Sequence, residues 1–202
     1  MNYLENTNKL NNEYFSFRHG HALNNERCLI VSDPVIGIAN YELTEKGRKE
    51  IKESVIKALN KNIINENSLI ITSDFRHTVE GAMIAHEKIL CTKPYTSTKL
   101  RERNFGNFEG RSSLYYEDVW ANDQKDPNHH HDNVESVNEV LKRTTSLITE
   151  LERNFSGQSI LLSSHGDTLQ ILQTAFKKIP ASQHRTIPHL KNAEIRKLIL
   201  AK

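Results

Sequence analysis

Short apolar runs alternate along the chain with longer stretches in which apolar residues recur every three or four positions. The runs predict three buried strands, at residues 14–17, 68–72 and 160–162. Weaker patterns predict two further strands, at residues 97–100 and 194–200. Each of the three clear runs stops at a polar break, so we expect a loop at the carboxyl end of each of these strands.

The longer stretches have the spacing of amphipathic helices. The first follows Thr44 as its cap and carries Ile51, Val55 and Leu59 at four-residue intervals. Three more helices are predicted at residues 79–89, after the capping box Ser136-x-x-Glu139, and from Thr168 to about Lys177. The helix after the capping box has the most regular pattern, because apolar residues line one of its faces for about four turns.

The alternation of strands and helices predicts an α/β protein, a three-layer α/β/α sandwich around a largely parallel sheet. Residues 106–133 show no sustained period, so we expect an irregular or partly helical insertion over a site there. Neither a repeat nor a linker interrupts the pattern. We therefore expect one domain over residues 1–202, with residues 1–13 as a polar leader and with ordered structure opening at Tyr14.

The composition is that of an ordinary globular protein, with 37% apolar and 26% charged residues among 202. The formal net charge is +2 and no segment concentrates the cations, which argues against a nucleic-acid partner. Residues 1–13 contain no apolar run that would serve as a signal peptide or reach into a membrane. Cys28 and Cys91 form no C-x-x-C pair, which favours a reducing compartment. We expect a cytoplasmic protein.

Side chains suited to one kind of chemistry follow the predicted strands. Arg18 and His19 follow the first strand, and Arg76 follows the second. Glu102 comes after the strand predicted at residues 97–100, and His165 comes after the strand predicted at residues 160–162. A neutral imidazole can attack phosphorus, guanidinium groups neutralise phosphate oxygens, and a carboxyl group can protonate a leaving oxygen. The set predicts phosphoryl transfer without a metal ion or cofactor, and the common nucleotide, zinc-protease and serine-hydrolase signatures are absent from the chain.

Several segments carry a resemblance to a known family. They are Phe17-Arg18-His19-Gly20 with Asn25, and residues 43–47, 72–78, 100–106, 135–136 and 164–167. Together they resemble the histidine phosphatase superfamily, which has the phosphoglycerate mutase-like fold, over roughly residues 14–178. A lone Arg-His-Gly would carry little weight, but these segments occur in the family's order and at predicted strand ends.

The resemblance implies that two residues carry out the bond-making and proton-transfer steps. His19 would be the nucleophile that is transiently phosphorylated, and Glu102 would be the proton donor. A proton donor near neutral pH needs a raised pKa. Phe105 or Phe108 could raise the pKa of Glu102 by excluding water, and a bound phosphate could raise it by its negative charge.

The resemblance also implies a phosphate pocket. Arg18, Arg76 and His165 would form it, with His165 counted among the catalytic residues, and Asn25 would help to orient the phosphate. The amide of Gly166 is a further candidate donor, because a glycine at a strand-to-helix turn exposes its backbone to an anion.

The acceptor of the phosphoryl group separates the possible functions. We expect water, and hence hydrolysis of a small phosphorylated metabolite, because only a short stretch from Gly110 to Val134 is available to shield a phosphoenzyme. A cofactor-dependent phosphoglycerate mutase type of transfer is the alternative. A non-catalytic phosphate-binding protein is a third hypothesis, and the complete set of chemical groups argues against it.

Two assignments have competing interpretations. Glu109, Glu117 and Asp118 lie in the same segment as Glu102, so any of them could supply the acid. The histidines at 129–131 invite a metal site, but adjacent residues seldom face one ion, so no metal site is predicted there. We expect activity to survive chelation.

Overall fold

The structure is a computed structural model that describes residues 2–201, so Met1 of the predicted leader and Lys202 lie outside the described residues. A five-stranded sheet forms its centre, with the strand order β3-β2-β4-β1-β5. The strands are β1 (Glu13–Arg18), β2 (Leu69–Thr72), β3 (Tyr95–Thr96), β4 (Ser159–Ser164) and β5 (Ile195–Leu198). Strands β1 to β4 pair in parallel, and β5 runs antiparallel to β1. The predicted largely parallel sheet is confirmed.

Seven helices surround the sheet in the part of the chain from residue 2 to residue 201. They are α1 (Leu23–Glu26), α2 (Pro34–Ala39), α3 (Glu45–Asn60), α4 (Arg76–Ile89), α5 (Tyr116–Lys125), α6 (Val137–Asn154) and α7 (Gly166–Lys177). None of the helices formed by these residues combines the length and the apolar character that a bilayer span requires.

Alternate residues of the strands face two separate cores. Tyr14 packs in one core with α6 and α7, while Phe15 and Phe17 pack in the other with α3 and α4. Strand β4 divides its side chains in the same way, because successive residues of a strand point to opposite faces. Both faces of the sheet are therefore covered by helices, and the predicted three-layer α/β/α sandwich is confirmed.

The predicted helix starts are confirmed where a capping side chain marks them. Thr44 accepts a hydrogen bond from the amide of Gly47 at the start of α3. Ser136 and Glu139 form the reciprocal capping box of α6, at 3.3 and 2.9 Å. Helix α7 begins two residues before the predicted start, at Gly166, because His165 occupies the capping position without a side-chain bond that the sequence would reveal.

The strand predicted at residues 97–100 is wrong. The edge strand β3 ends at Thr96, and Ser97 caps a short 3-10 helix, Thr98–Leu100, by accepting a hydrogen bond from the amide of Lys99 at 3.4 Å. Leu100 is fully buried against the α6 side of the sheet. One buried leucine and a serine cap favour a turn over a strand at this position.

The segment predicted as an insertion packs as a small unit with its own core. Helix α5 lies within it, between short 3-10 turns. Val119 of this segment is buried in a third cluster with Ile30 of the loop that follows β1 and with Phe105 and Val134, which flank the segment. The prediction of a partly helical insertion is confirmed.

The first residues of the chain pack against the domain before β1 begins. Leu4 is 2% exposed and lies in the core that contains α6 and α7. The side-chain amide of Asn12 donates to Glu152 of α6 at 2.8 Å. Ordered structure therefore opens before Tyr14, contrary to the prediction, because one buried leucine and a few polar contacts are enough to hold a segment that looks uniformly polar.

Candidate active site

The carboxyl ends of β1, β2 and β4 meet at one edge of the sheet. Arg18 pairs in register with Ser164, and Thr72 pairs with Ser163, so the residues that follow these strands converge. A pocket of about 280 Å³ opens there. Its lining includes Arg18, His19, Asn24, Asn25, Cys28, Leu29, Val31, His77, Glu102, Ser113, Tyr116 and His165. This is the position at which parallel α/β sheets bind their ligands.

His19 presents one nitrogen of its ring to the pocket. The side chain is 4% exposed, and its Nδ1 lies 2.8 Å from the carbonyl oxygen of Gly20. A carbonyl can only accept, so Nδ1 carries the proton and Nε2 keeps its lone pair. Burial, followed by the nearby His77 and Arg18, lowers the pKa of His19 well below its usual value. His19 is therefore neutral at physiological pH and has an available nucleophilic nitrogen.

Two further histidines complete a buried triad with His19. The rings of His77 and His165 lie 4.3 and 5.4 Å from the His19 ring, centre to centre. Nδ1 of His77 bonds the Tyr41 carbonyl at 3.0 Å, and Nε2 of His165 bonds Ser73 Oγ at 3.0 Å. Burial lowers the pKa of His77 to about 4 and that of His165 well below its usual value.

Arg18 supplies the permanent positive charge of the pocket. Its Nη1 donates to the carbonyl oxygen of Leu190 at 2.6 Å and to Nε2 of His189 at 2.9 Å. Its Nε is buried and has no hydrogen-bond partner among residues 2–201. A guanidinium nitrogen left in this state is a ready donor for an anion, because burying an unpaired donor is costly.

Glu102 faces the same pocket with a carboxyl group that holds its proton unusually well. Its Oε1 accepts from the amides of Arg103 and Thr168 at 2.9 and 3.2 Å. Burial, helped by the negative charge of Asp167, raises the pKa of Glu102 from 4.5 to about 7. The two amide bonds oppose this rise, but desolvation outweighs them. Glu102 can therefore act as a general acid near neutral pH.

A buried ion-pair network stands directly behind Glu102. Arg103 is fully buried and binds both carboxylate oxygens of Asp123 at 2.7 Å. It also donates to Asp167 at 3.3 Å, and the indole of Trp120 donates to Asp167 at 3.0 Å. The network ties α5 of the insertion to α7, and it places the Asp167 charge that helps to raise the pKa of Glu102.

Arg76 does not join the pocket, which corrects the prediction that it contributes to phosphate binding. Its side chain is 43% exposed and pairs with Glu42 and, at 3.2 Å, with Glu80. Arg76 is the first residue of α4, and an α-helix turns by about 100° per residue. The next residue, His77, therefore points to the pocket in its place.

The other predicted binding residues lie at the pocket or on its border. Asn25 lines it, with its side-chain oxygen accepting from the amide of Ala22 at 3.0 Å. Gly166 is packed against the Arg18 side: a Cβ atom there would lie 3.0 Å from Cε1 of His189 and 3.4 Å from Cζ of Arg18. A side chain at position 166 would crowd the ring of His189, which is a hydrogen-bond partner of Arg18.

The competing carboxylates are placed elsewhere. Glu109 accepts from Ser32, through the amide at 2.6 Å and the hydroxyl at 2.7 Å, and so fixes a loop. Glu117 and Asp118 are exposed in the first turn of α5 and do not line the pocket. Of these four carboxyl groups, the one that lines the pocket is that of Glu102.

Sequence reasoning assigned no role to His77 and Tyr116, which both line the pocket. His77 lies in the segment that carries the resemblance and directly follows Arg76, so two basic side chains competed for one role. Helical phase would have separated them only if the first residue of α4 had been known. Tyr116 gave no signal, because its approach depends on how the insertion folds back.

Comparisons with known proteins identify the family and agree with the fold. The sequence model of the histidine phosphatase superfamily (branch 1) matches residues 15–202. No curated relative matches the chain. Among solved structures, the protein YhfR of Bacillus stearothermophilus is 23% identical, with a TM-score of 0.73 and coverage of 91% of this chain and 89% of that one.

Two mycobacterial structures have the same fold. A protein described as mycobacterial hydrolase 1 is 22% identical, with a TM-score of 0.75 and coverage of 92% of this chain and 87% of that one. A mycobacterial glucosyl-3-phosphoglycerate phosphatase in complex with VO3 is also 22% identical, with a TM-score of 0.75 and coverage of 92% and 90%. Since the family match runs over most of the chain, this protein belongs to the histidine phosphatase superfamily, branch 1.

Proposed function

We propose that this chain hydrolyses the phosphomonoester of a small metabolite through a phosphohistidine formed on His19. One observation carries the proposal: a neutral His19, with Nδ1 bound to the Gly20 carbonyl and Nε2 free, shares a small pocket with Arg18 and with a Glu102 whose pKa is about 7. A nucleophile, an anion-binding cation and a proton donor thus face one space.

The reaction would run in two in-line steps. Nε2 of His19 forms a bond to phosphorus as the ester bond breaks, and Glu102 gives its proton to the departing alkoxide. In the second step Glu102 takes a proton from water, the water oxygen attacks phosphorus, and His19 leaves with its lone pair restored. Inorganic phosphate and an alcohol are the products, and Glu102 ends protonated as it began.

The remaining pocket residues would stabilise charge on the transferring group. Arg18 would bind the phosphate oxygens through its buried, unpartnered Nε. His165 and the amide of Gly166, at the amino end of α7, would lie near the same oxygens, and Asn25, which also lines the pocket, would help to orient the phosphate. One structural neighbour is a glucosyl-3-phosphoglycerate phosphatase, which supports a small phosphorylated metabolite as substrate.

Turnover of p-nitrophenyl phosphate and of a panel of phosphorylated metabolites tests the proposal. We expect hydrolysis by the wild type in the presence of a chelator and its loss in His19→Ala. His131→Ala, which removes an exposed histidine outside the pocket, is the matched control and should keep full activity. Full activity of His19→Ala would exclude the mechanism.

A further inference from the structure

Three imidazoles meet at the base of the pocket. One ring nitrogen from each of His19, His77 and His165 lies within 4.8 Å of the other two, and all three residues are buried. Among residues 2–201, no other group of three or more His, Cys, Asp or Glu residues brings its potential ligand atoms this close together. The sequence drew attention to the histidines at 129–131, whereas the structure brings together three that are far apart in the chain.

Backbone contacts orient two of the three rings. The carbonyl oxygens of Gly20 and Tyr41 accept from Nδ1 of His19 and His77, so each ring has its lone pair on Nε2. A carbonyl bonded to the outer nitrogen is the usual partner of a metal-binding histidine, because it fixes the ring and its tautomer. Both rings are therefore held as preformed ligands.

The third ring faces the second at a spacing that suits a metal ion. Nδ1 of His165 lies 3.3 Å from Nε2 of His77. Two nitrogens bound at 2.0–2.1 Å to one tetrahedral Zn²⁺ are themselves about 3.3 Å apart. Nε2 of His77 carries a lone pair, so Nδ1 of His165 must either donate a proton to it or share a cation with it. A shift of the His165 proton to Nε2, where Ser73 Oγ can accept it at 3.0 Å, frees Nδ1 for a cation.

We propose that His19, His77 and His165 bind one divalent transition metal ion, with Zn²⁺ as the best match. Three neutral imidazoles and an open fourth position are a donor set that suits Zn²⁺. The fourth position opens into the pocket, where a water or a phosphate oxygen can complete the tetrahedron. Arg18, which lines the same pocket, opposes binding by its positive charge.

Metal binding and phosphoryl transfer would exclude each other. The ion uses the Nε2 lone pair of His19, which is the electron pair that would attack phosphorus. Zn²⁺ should therefore inhibit hydrolysis at the concentrations at which it binds, a consequence that rests on the proposed function. Binding itself depends only on the three rings.

Direct metal binding tests the inference independently of activity. Chelator-treated protein is titrated with Zn²⁺ by calorimetry, and with Co²⁺ by visible absorption, in which tetrahedral coordination gives intense bands. We expect one ion per chain with a Kd of about 1 µM or tighter, and a Zn²⁺-dependent rise in the unfolding temperature. A wild type without saturable binding or tetrahedral bands overturns the inference and leaves the proposed hydrolysis intact.

Variants identify the ligands. His77→Gln and His165→Gln should each weaken Zn²⁺ binding by about tenfold or more, while cooperative unfolding shows that they fold. The double variant His130→Asn/His131→Asn removes two exposed histidines and should bind as the wild type does. A folded His77→Gln with unchanged affinity, or loss of binding in the double variant, contradicts the site. If the chain binds the metal ion but hydrolyses no phosphate ester in the presence of a chelator, the proposed function is contradicted and the metal site is not.

Discussion

At the scale of single residues, burial moves two pKa values in opposite directions toward the same uncharged state. It lowers the pKa of His19, so the imidazole keeps a free lone pair. It raises the pKa of Glu102 to about 7, so the carboxyl keeps a proton. A nucleophile and an acid that are both ready at neutral pH need these opposite shifts, because their ordinary pKa values would leave the carboxyl ionised and the imidazole partly protonated.

Replacing the proton donor should separate substrates by their leaving groups. We expect Glu102→Gln to lower kcat for an alkyl phosphate by about 10²-fold or more, since an alkoxide leaves poorly without a proton. The loss should be much smaller for p-nitrophenyl phosphate, whose leaving group is stable as an anion. Steady-state kinetics on both esters provide the measurement. An equal loss on both would mean that Glu102 binds phosphate and does not transfer a proton.

The pH profile should report the same carboxyl. Glu102 must be protonated to act as an acid, so kcat/KM should fall as the pH rises through about 7, the pKa of this group in the free protein. The His19 pKa is lowered, so no loss from its protonation is expected until well below neutral pH. Glu102→Gln should lack the alkaline fall that the wild type shows, and an identical fall in both would assign it to another group.

The two arginines should differ sharply. Arg18→Ala should lower kcat/KM by about 10-fold to 100-fold, since it removes a charge-assisted bond to phosphate. Arg76→Ala should change it by less than about twofold, because the exposed pairs with Glu42 and Glu80 contribute little. Parallel kinetics on the two variants decide the point. A large loss in Arg76→Ala would restore it to the phosphate pocket.

At the scale of elements, the insertion is held by charge as much as by its small apolar core. Asp123 of α5 binds the fully buried Arg103, which also contacts Asp167 of α7. Removing one partner of a buried pair leaves the other charge uncompensated, and that cost exceeds any benefit the pair provides. The placement of Glu102, next to Arg103 in the chain, depends on this network.

Breaking that pair should destabilise the domain. We expect Asp123→Ala to lower the free energy of unfolding by about 3–5 kcal/mol. Asp118→Ala removes an exposed carboxylate from the same helix and should cost less than about 1 kcal/mol. Urea unfolding of the two variants makes the comparison. Equal stability of both would mean that water or a counter-ion compensates Arg103.

The elements could be predicted from the sequence where one periodic pattern controlled them. Capping residues marked α3 and α6, and apolar runs marked the three central strands. The edge strand β3 could not be predicted, because it has two exposed residues and no apolar signal. The packing of Leu4 depends on a distant partner surface, which no local pattern contains.

At the scale of the whole molecule, the strand order turns scattered residues into one site. Three site residues, Arg18, His19 and His165, could be assigned in advance because they lie at the ends of strands that share an edge. Glu102 also lines the pocket, although the strand predicted just before it is a 3-10 turn in the structure. The choice between Arg76 and His77 could not be made, since it depends on where α4 starts. The contribution of Tyr116 from the insertion depends on long-range packing that a single sequence does not contain.

The central claim is that His19 carries the phosphoryl group during turnover. The most direct measurement detects this intermediate by peptide mass spectrometry. The hydrolysis of a phosphomonoester is quenched rapidly during turnover, under alkaline conditions that preserve phosphohistidine, and the peptides are then analysed. The account predicts an acid-labile phosphate on the peptide that contains His19, absent from His19→Ala. Rapid turnover with no phosphorylated histidine, or with phosphate on a different residue, would contradict it.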